Sequence, residues 1–247
     1  MKKIIVFLIC MSLIGCATQN TQEKEKVNMY LSLGDVYQEA NRFSEAENYY
    51  KKAYTLEPQN THVMTKLADT FVNQGKLEDA ALTYKQILIV SPQNRVRYKL
   101  AAVSLSRGDA YTALNEYGKT LKINPHDDHA LNGLGVLLDN ISQYKLAEVC
   151  YKKGLRYAPH TSSLLNNLGI SYALSGELDR AKHYLLLSRQ YSSESRLQYN
   201  YDFIIQAEKI KNLSERKKKL MEAFLLKKKT VNTSIVNSIL LLTNKFC

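Results

Sequence analysis

Residues 125–159, PHDDHALNGLGVLLDNISQYKLAEVCYKKGLRYAP, decide the fold. They run from one proline to the next and hold two apolar-periodic stretches separated by a turn at Ser142. The first stretch carries the pair Leu134-Gly135. The second carries Ala147 and, four residues on, Tyr151. Residues four apart share a helix face, so the aromatic fills the space beneath Ala147. A small residue on each helix lets the two approach closely. Pro159 cannot continue an α-helix and closes the segment.

The same columns recur in both directions. The chain's four prolines, Pro58, Pro92, Pro125 and Pro159, are spaced 34, 33 and 34. Upstream of them run Ala46, Ala80, Ala113, Ala147 and Ala181, followed four residues later by Tyr50, Tyr84, Tyr117, Tyr151 and Leu185. Each unit also has a Leu-small pair: Leu33-Gly34, Leu67-Ala68, Leu100-Ala101, Leu134-Gly135 and Leu168-Gly169. Turn residues Asn41, Gly75, Gly108, Ser142 and Gly176 sit between the halves. This pattern resembles the tetratricopeptide repeat, a unit of two antiparallel helices about 34 residues long. The resemblance covers 27–195 as five units. The family's frequent Trp column holds Tyr30, Met64, Leu131 and Leu165, with Arg97 as the departure.

The resemblance implies an all-α fold: a superhelical solenoid of five helix pairs, with 196–247 as a degenerate sixth repeat, a basic capping helix and an apolar tail. A single unit cannot bury its apolar face, but stacked neighbours bury a continuous core. In 196–213, Phe203, Ile204, Ala207 and Ile210 keep a helical period without the repeat columns. Ser214 is the expected N-cap of a further helix.

Composition agrees. Of 247 residues, 45% are apolar and 23% charged, which excludes a disordered chain. Ten glycines and four prolines are few for a loop-rich all-β protein. The net charge of +11 is unevenly spread: 209–229 holds nine basic against two acidic residues, whereas 4–208 has 22 against 21. The body is thus nearly neutral, which argues against nucleic acid as a partner.

The N-terminus, MKKIIVFLICMSLIGC, has a charged start and an 11-residue apolar run, Ile4 to Ile14. The run is too short to span a bilayer and fits a signal peptide over 1–15. It ends in Leu13-Ile14-Gly15-Cys16, which resembles a bacterial lipobox. That resemblance implies cleavage before Cys16 and acylation of its thiol, giving a lipid-anchored protein. Ala17, where Asp would mark inner-membrane retention in many Gram-negative bacteria, favours the periplasmic face of the outer membrane. Residues 16–26 then read as the lipidated cysteine and a solvated polar tether, reaching about 30 Å when extended. Cys10 is lost with the signal. Cys150 reads as a buried inert thiol; a disulfide with Cys247 is the alternative in an oxidising periplasm.

The chain lacks the phosphate-loop, nucleophile-elbow and zinc-protease motifs, so no enzyme activity and no cofactor are expected. His126-Asp127-Asp128-His129 is the one cluster with ligand chemistry, but it follows Pro125, where Asp127 or Asp128 is the expected helix cap; no metal site is expected. The first helix of each unit lines the concave face in this repeat family. The position two before each Leu-small pair is Leu31, Thr65, Tyr98, Asn132 and Asn166, with Asn200 in the sixth unit. Asparagine amides both donate and accept, matching an extended peptide backbone. The expected peptide-binding groove is Tyr98, Asn132, Asn166, Asn167 and Asn200, with side chains facing solvent and Lys66, Arg95 and Lys99 adding a basic end. The alternative is that the amides bond between neighbouring helices. A second candidate surface is basic: Lys217, Lys218, Lys219, Lys227, Lys228 and Lys229 flank an amphipathic stretch suited to anionic lipid or an acidic partner, or simply a solvated cap.

A lipobox followed directly by five such repeats, with RLQYNYDFII at 196–205, resembles the TadD lipoproteins of the tight-adherence (Flp) pilus system. The resemblance implies a pilotin-like assembly factor whose partner is a secretin or another pilus component. Type IV pilus biogenesis lipoproteins, and adaptors that regulate peptidoglycan enzymes, are built alike.

Overall fold

A computed structural model describes the backbone of residues 2–210, 212–224 and 233–247, and the side chains from Thr21 on except those of Lys217 and Thr233. Among these residues there are helices and no strands, in two compact units. In the first, ending at Val96, α1 (Lys2–Glu39) pairs with α2 (Phe43–Leu56) and α3 (Thr61–Asn73) with α4 (Leu77–Val90). The second, from Arg97, holds most of α5 (Asn94–Ser106) and then α6 (Ala110–Ile123). There α7 (Asp128–Asn140) pairs with α8 (Tyr144–Tyr157), and α9 (Ser162–Ser175) with α10 (Leu178–Gln190). It closes with α11 (Ser195–Glu208), α12 (Leu213–Phe224) and α13 (Thr233–Phe246). These are tetratricopeptide-type helix pairs.

Each column does what its chemistry dictates. All five turn residues have positive φ, including Asn41 at 56° and Ser142 at 62°. That is the left-handed conformation that ends one helix and turns the chain back antiparallel. The alanines of the second helices are fully buried. A Cβ placed on Gly135 would overlap the Tyr151 ring, and one on Gly34 the Tyr50 ring. We therefore expect Ala147→Leu to overpack the α7–α8 contact at a cost of about 1–3 kcal/mol; an unchanged thermal midpoint would refute this register.

The buried phenols need acceptors. Tyr50 donates to Asp35 Oδ1 at 2.6 Å, Tyr84 to Asp69, and Tyr151 to Asp139 Oδ2 at 2.8 Å. Arg97, the residue out of place in the Trp column, reaches Glu116 of α6 at 3.1 Å as an almost buried ion pair, joined by Lys119 at 2.6 Å. After Pro58, Asn60 caps α3 by accepting from His62 N and Val63 N; after Pro125, Asp127 caps α7 by accepting from Ala130 N.

Four expectations are corrected. Residues 17–26 are not an extended tether but part of α1, where ten residues rise only about 15 Å. The helix at 213 is capped by Asn212, whose Oδ1 accepts from Ser214 N and Glu215 N, and not by Ser214. Cys150 is not a free thiol: it is bonded to Cys247. Both cysteines end up together because α13 folds back onto α6, α7 and α8, burying Ile239 and Phe246 and setting Leu242 against Gly118. Lys153 Nζ donates to the Phe246 carbonyl beside the disulfide. The fourth concerns two groove asparagines and is taken up below. Among the described residues, no helix is long and apolar enough to cross a membrane.

Candidate functional site: a groove in the second unit

The first helices of successive pairs, α5, α7 and α9, present one face to a groove with a volume of about 480 Å³. Its floor is apolar, built from Val136, Ile170 and Leu174, with the Tyr117 and Tyr151 rings rising from the second helices. Its walls are polar. Tyr98 stacks on His129 with ring centroids 4.8 Å apart, and Asn132, Asn167, Lys99 and Asn140 are among the other lining residues.

The structure thus brings Tyr98, Asn132 and Asn167 to one surface. Asn166 and Asn200, expected to face solvent, are only 2% and 6% exposed. They form a chain of amides: Asn200 Nδ2 donates to Asn166 Oδ1 at 2.8 Å, Asn166 to Asn167 at 3.2 Å, and Asn167 to Asn132 at 3.0 Å. The physical reason is that this helical position falls between stacked neighbours, where an amide bonds the next amide before any ligand. Asn166→Ala would leave Asn200 without its acceptor in a buried site. We expect it to cost about 1–3 kcal/mol of stability, read by denaturant unfolding. An unaltered midpoint with weakened ligand binding would restore Asn166 to the groove.

Sequence reading missed Asp139, which lines the groove yet is almost buried. It accepts from Ser171 Oγ at 2.7 Å and from Tyr151. Burial pushes its carboxyl up to about 7, although both hydroxyls pull the other way. Burial, and then Asp139 itself, hold the Tyr151 phenol well above its usual range. The signal was present in the sequence: a tyrosine column in a core demands acceptors, and Asp35, Asp69 and Asp139 lie on the helices facing it. Because the folded pKa exceeds the unfolded value, the neutral acid's contribution is full below about pH 4 and is lost as pH rises toward 7. The loss is about 1.4 kcal/mol per pKa unit. Asp139→Asn, which stays neutral, is expected to flatten this part of the stability–pH curve; parallel curves would contradict it.

The acidic-histidine cluster is dispersed. His126 stacks on Tyr157 at 4.2 Å, Asp127 caps α7 and His129 faces Tyr98. Among the described residues, no three such side chains could hold a metal ion. Of the basic surface, Lys218 and Lys219 are exposed on α12. The side chain of Lys217, and Lys227, Lys228 and Lys229 entirely, lie outside the described residues. Lys66 belongs to the first unit, where it pairs with Asp35 at 2.8 Å. The Cys16 side chain is likewise outside the description.

Comparison with known proteins follows the same lines. Tetratricopeptide-repeat family models match residues 37–103 and 128–161. No curated protein matches the sequence. Among solved structures, a thermophilic tetratricopeptide-repeat protein of Thermus thermophilus is similar with TM-score 0.63 and 19% identity, covering 73% of this chain and 99% of that one. The pilF protein of Pseudomonas aeruginosa is similar with TM-score 0.59 and 15% identity, covering 82% and 99%. YrrB, described as a tetratricopeptide-repeat protein with an unusual peptide-binding site, gives TM-score 0.51 and 17% identity, covering 78% and 97%. At these identities the likeness speaks for the fold alone, stacked tetratricopeptide-type helix pairs.

Proposed function

We propose that this protein is a lipid-anchored scaffold on the periplasmic face of the outer membrane, acting as a pilotin-like assembly factor for a Flp/Tad pilus secretion system. The observation that carries the scaffold reading is the groove: an apolar floor for side chains, rimmed by amides and an aromatic pair, on rigid stacked helices. The address is supported by the Leu13-Ile14-Gly15-Cys16 box and by a disulfide, a bond that persists in oxidising compartments. The pilus assignment is supported by the lipobox preceding the repeats and by the RLQYNYDFII segment, which forms most of α11 and supplies Asn200 to the amide chain.

The test is made in cells carrying a Flp/Tad secretin. Removing this protein is expected to deplete secretin multimers from the outer-membrane fraction. The wild-type chain should restore them, and a chain with Ile170→Asp in the groove floor should not. Multimers that persist without the protein would end the pilotin reading. A defect confined to a type IV pilus secretin would move the same scaffold to that system.

A further inference from the structure

The α9 end of the groove is closed by a helix of its own chain. Helix α12 packs on α9 and α11, the first helices of their repeats. Leu220 is 2% exposed, and Met221 and Phe224 pack against the same core. The Phe224 ring meets Phe203 edge-on at 5.3 Å and helps line the groove together with Ile170 and Leu174. Phe224 lies four residues after Leu220 and three after Met221, so the three share one broad face of the helix. The opposite face is solvated, with Lys219 paired to Glu215 and Lys218 to Glu222. This is an amphipathic helix laid across the first helices of two repeats, the geometry of a recurring mode of recognition between separate proteins.

Its hold is slight. A 12-residue helix is marginal on its own, and among its described side chains only Leu220 is buried. It is, however, tied at both ends. Upstream, the Arg216 guanidinium donates to the Ile210 and Glu208 carbonyls at the end of α11. Downstream, the chain is bonded to α8 through Cys247 and Cys150. Leaving the groove therefore does not mean leaving the molecule, and α12 stays at high effective concentration.

We propose that α12 is a resident, displaceable cover at the α9 end of the groove, and that the external ligand is an amphipathic partner helix presenting a Leu/aromatic pair at i, i+4 that takes its place. This rests on the groove being the working surface. The ligand competes with α12 for the Phe203 contact and for the wall that Phe224 shares with Ile170 and Leu174, so an unoccupied scaffold is kept covered there.

The test uses the full chain and, as probe, a fluorescent peptide of residues 213–224. The double variant Leu220→Asp, Phe224→Asp frees the α12 docking place in cis and is expected to bind the peptide at least tenfold more tightly than wild type. Adding Ile170→Asp to it should abolish binding. Equal affinity of wild type and double variant overturns the role of α12 but leaves the groove standing. Binding indifferent to Ile170→Asp removes the groove itself. No binding to a double variant that keeps native helicity overturns the proposal. Hydrogen exchange on wild type checks it without substitution: amides of 214–224 should exchange at least a hundredfold faster than those of α9. Equal protection of the two helices would overturn it.

Discussion

Reducing the Cys150–Cys247 disulfide lowers the unfolding free energy of the second unit by up to about 4.7 kcal/mol, the chain-entropy value for a loop of about 100 residues. The two cysteines are 97 residues apart, so the unfolded chain loses much of its freedom when they are joined. The folded state changes little on reduction, because Ile239 and Phe246 remain buried against the repeats. The measurement is denaturant unfolding with and without reductant. Cys150→Ser with Cys247→Ser should reproduce the reduced midpoint and make it insensitive to reductant. The first unit, which has no part in the loop, should keep its midpoint. A reductant-independent wild type would mean that the bond contributes nothing.

Replacing Cys16 by Ser is expected to be all-or-none. The precursor should stay unprocessed and incorporate no palmitate, because serine lacks the thiol that carries the lipid. Label persisting in the variant would sink the lipobox reading. On the proposed reading the two experiments together account for every cysteine: Cys10 would go with the signal, Cys16 would be acylated, and the remaining pair is bonded. The mature protein should therefore take up no maleimide until it is reduced.

Why the repeats were so legible is a matter of redundancy. Five copies of one unit align with each other, and each column answers a single physical demand. Register alone marks Ser142 and Asn41 as turns, and both take the positive φ that glycine supplies elsewhere in the column. Direction was less legible than position. Spacing placed Asn132, Asn166 and Asn200 in one file, but it could not show that two of them turn between helices and bond to each other. Asp139 escaped for a related reason: an acid a few residues beyond a glycine-rich pair reads as surface until a phenol is found aimed at it. Beyond the fifth repeat no column exists to align. Neither the path of α12 into the groove nor the return of α13 to Cys150 follows from local pattern, since both depend on contacts between distant parts of the chain.

The return of α13 also bears on how the chain can change in length. An open stack of helix pairs grows or shrinks one unit at a time, because each pair touches only its neighbours. Between Cys150 and Cys247 that freedom is gone. The covalent ring encloses α9 to α12 and closes across α6, α7 and α8, so duplicating or deleting a pair inside it would leave the last helix out of reach of its docking face. Repeat number is fixed there, and gain or loss of units is confined to the part of the chain that precedes the ring.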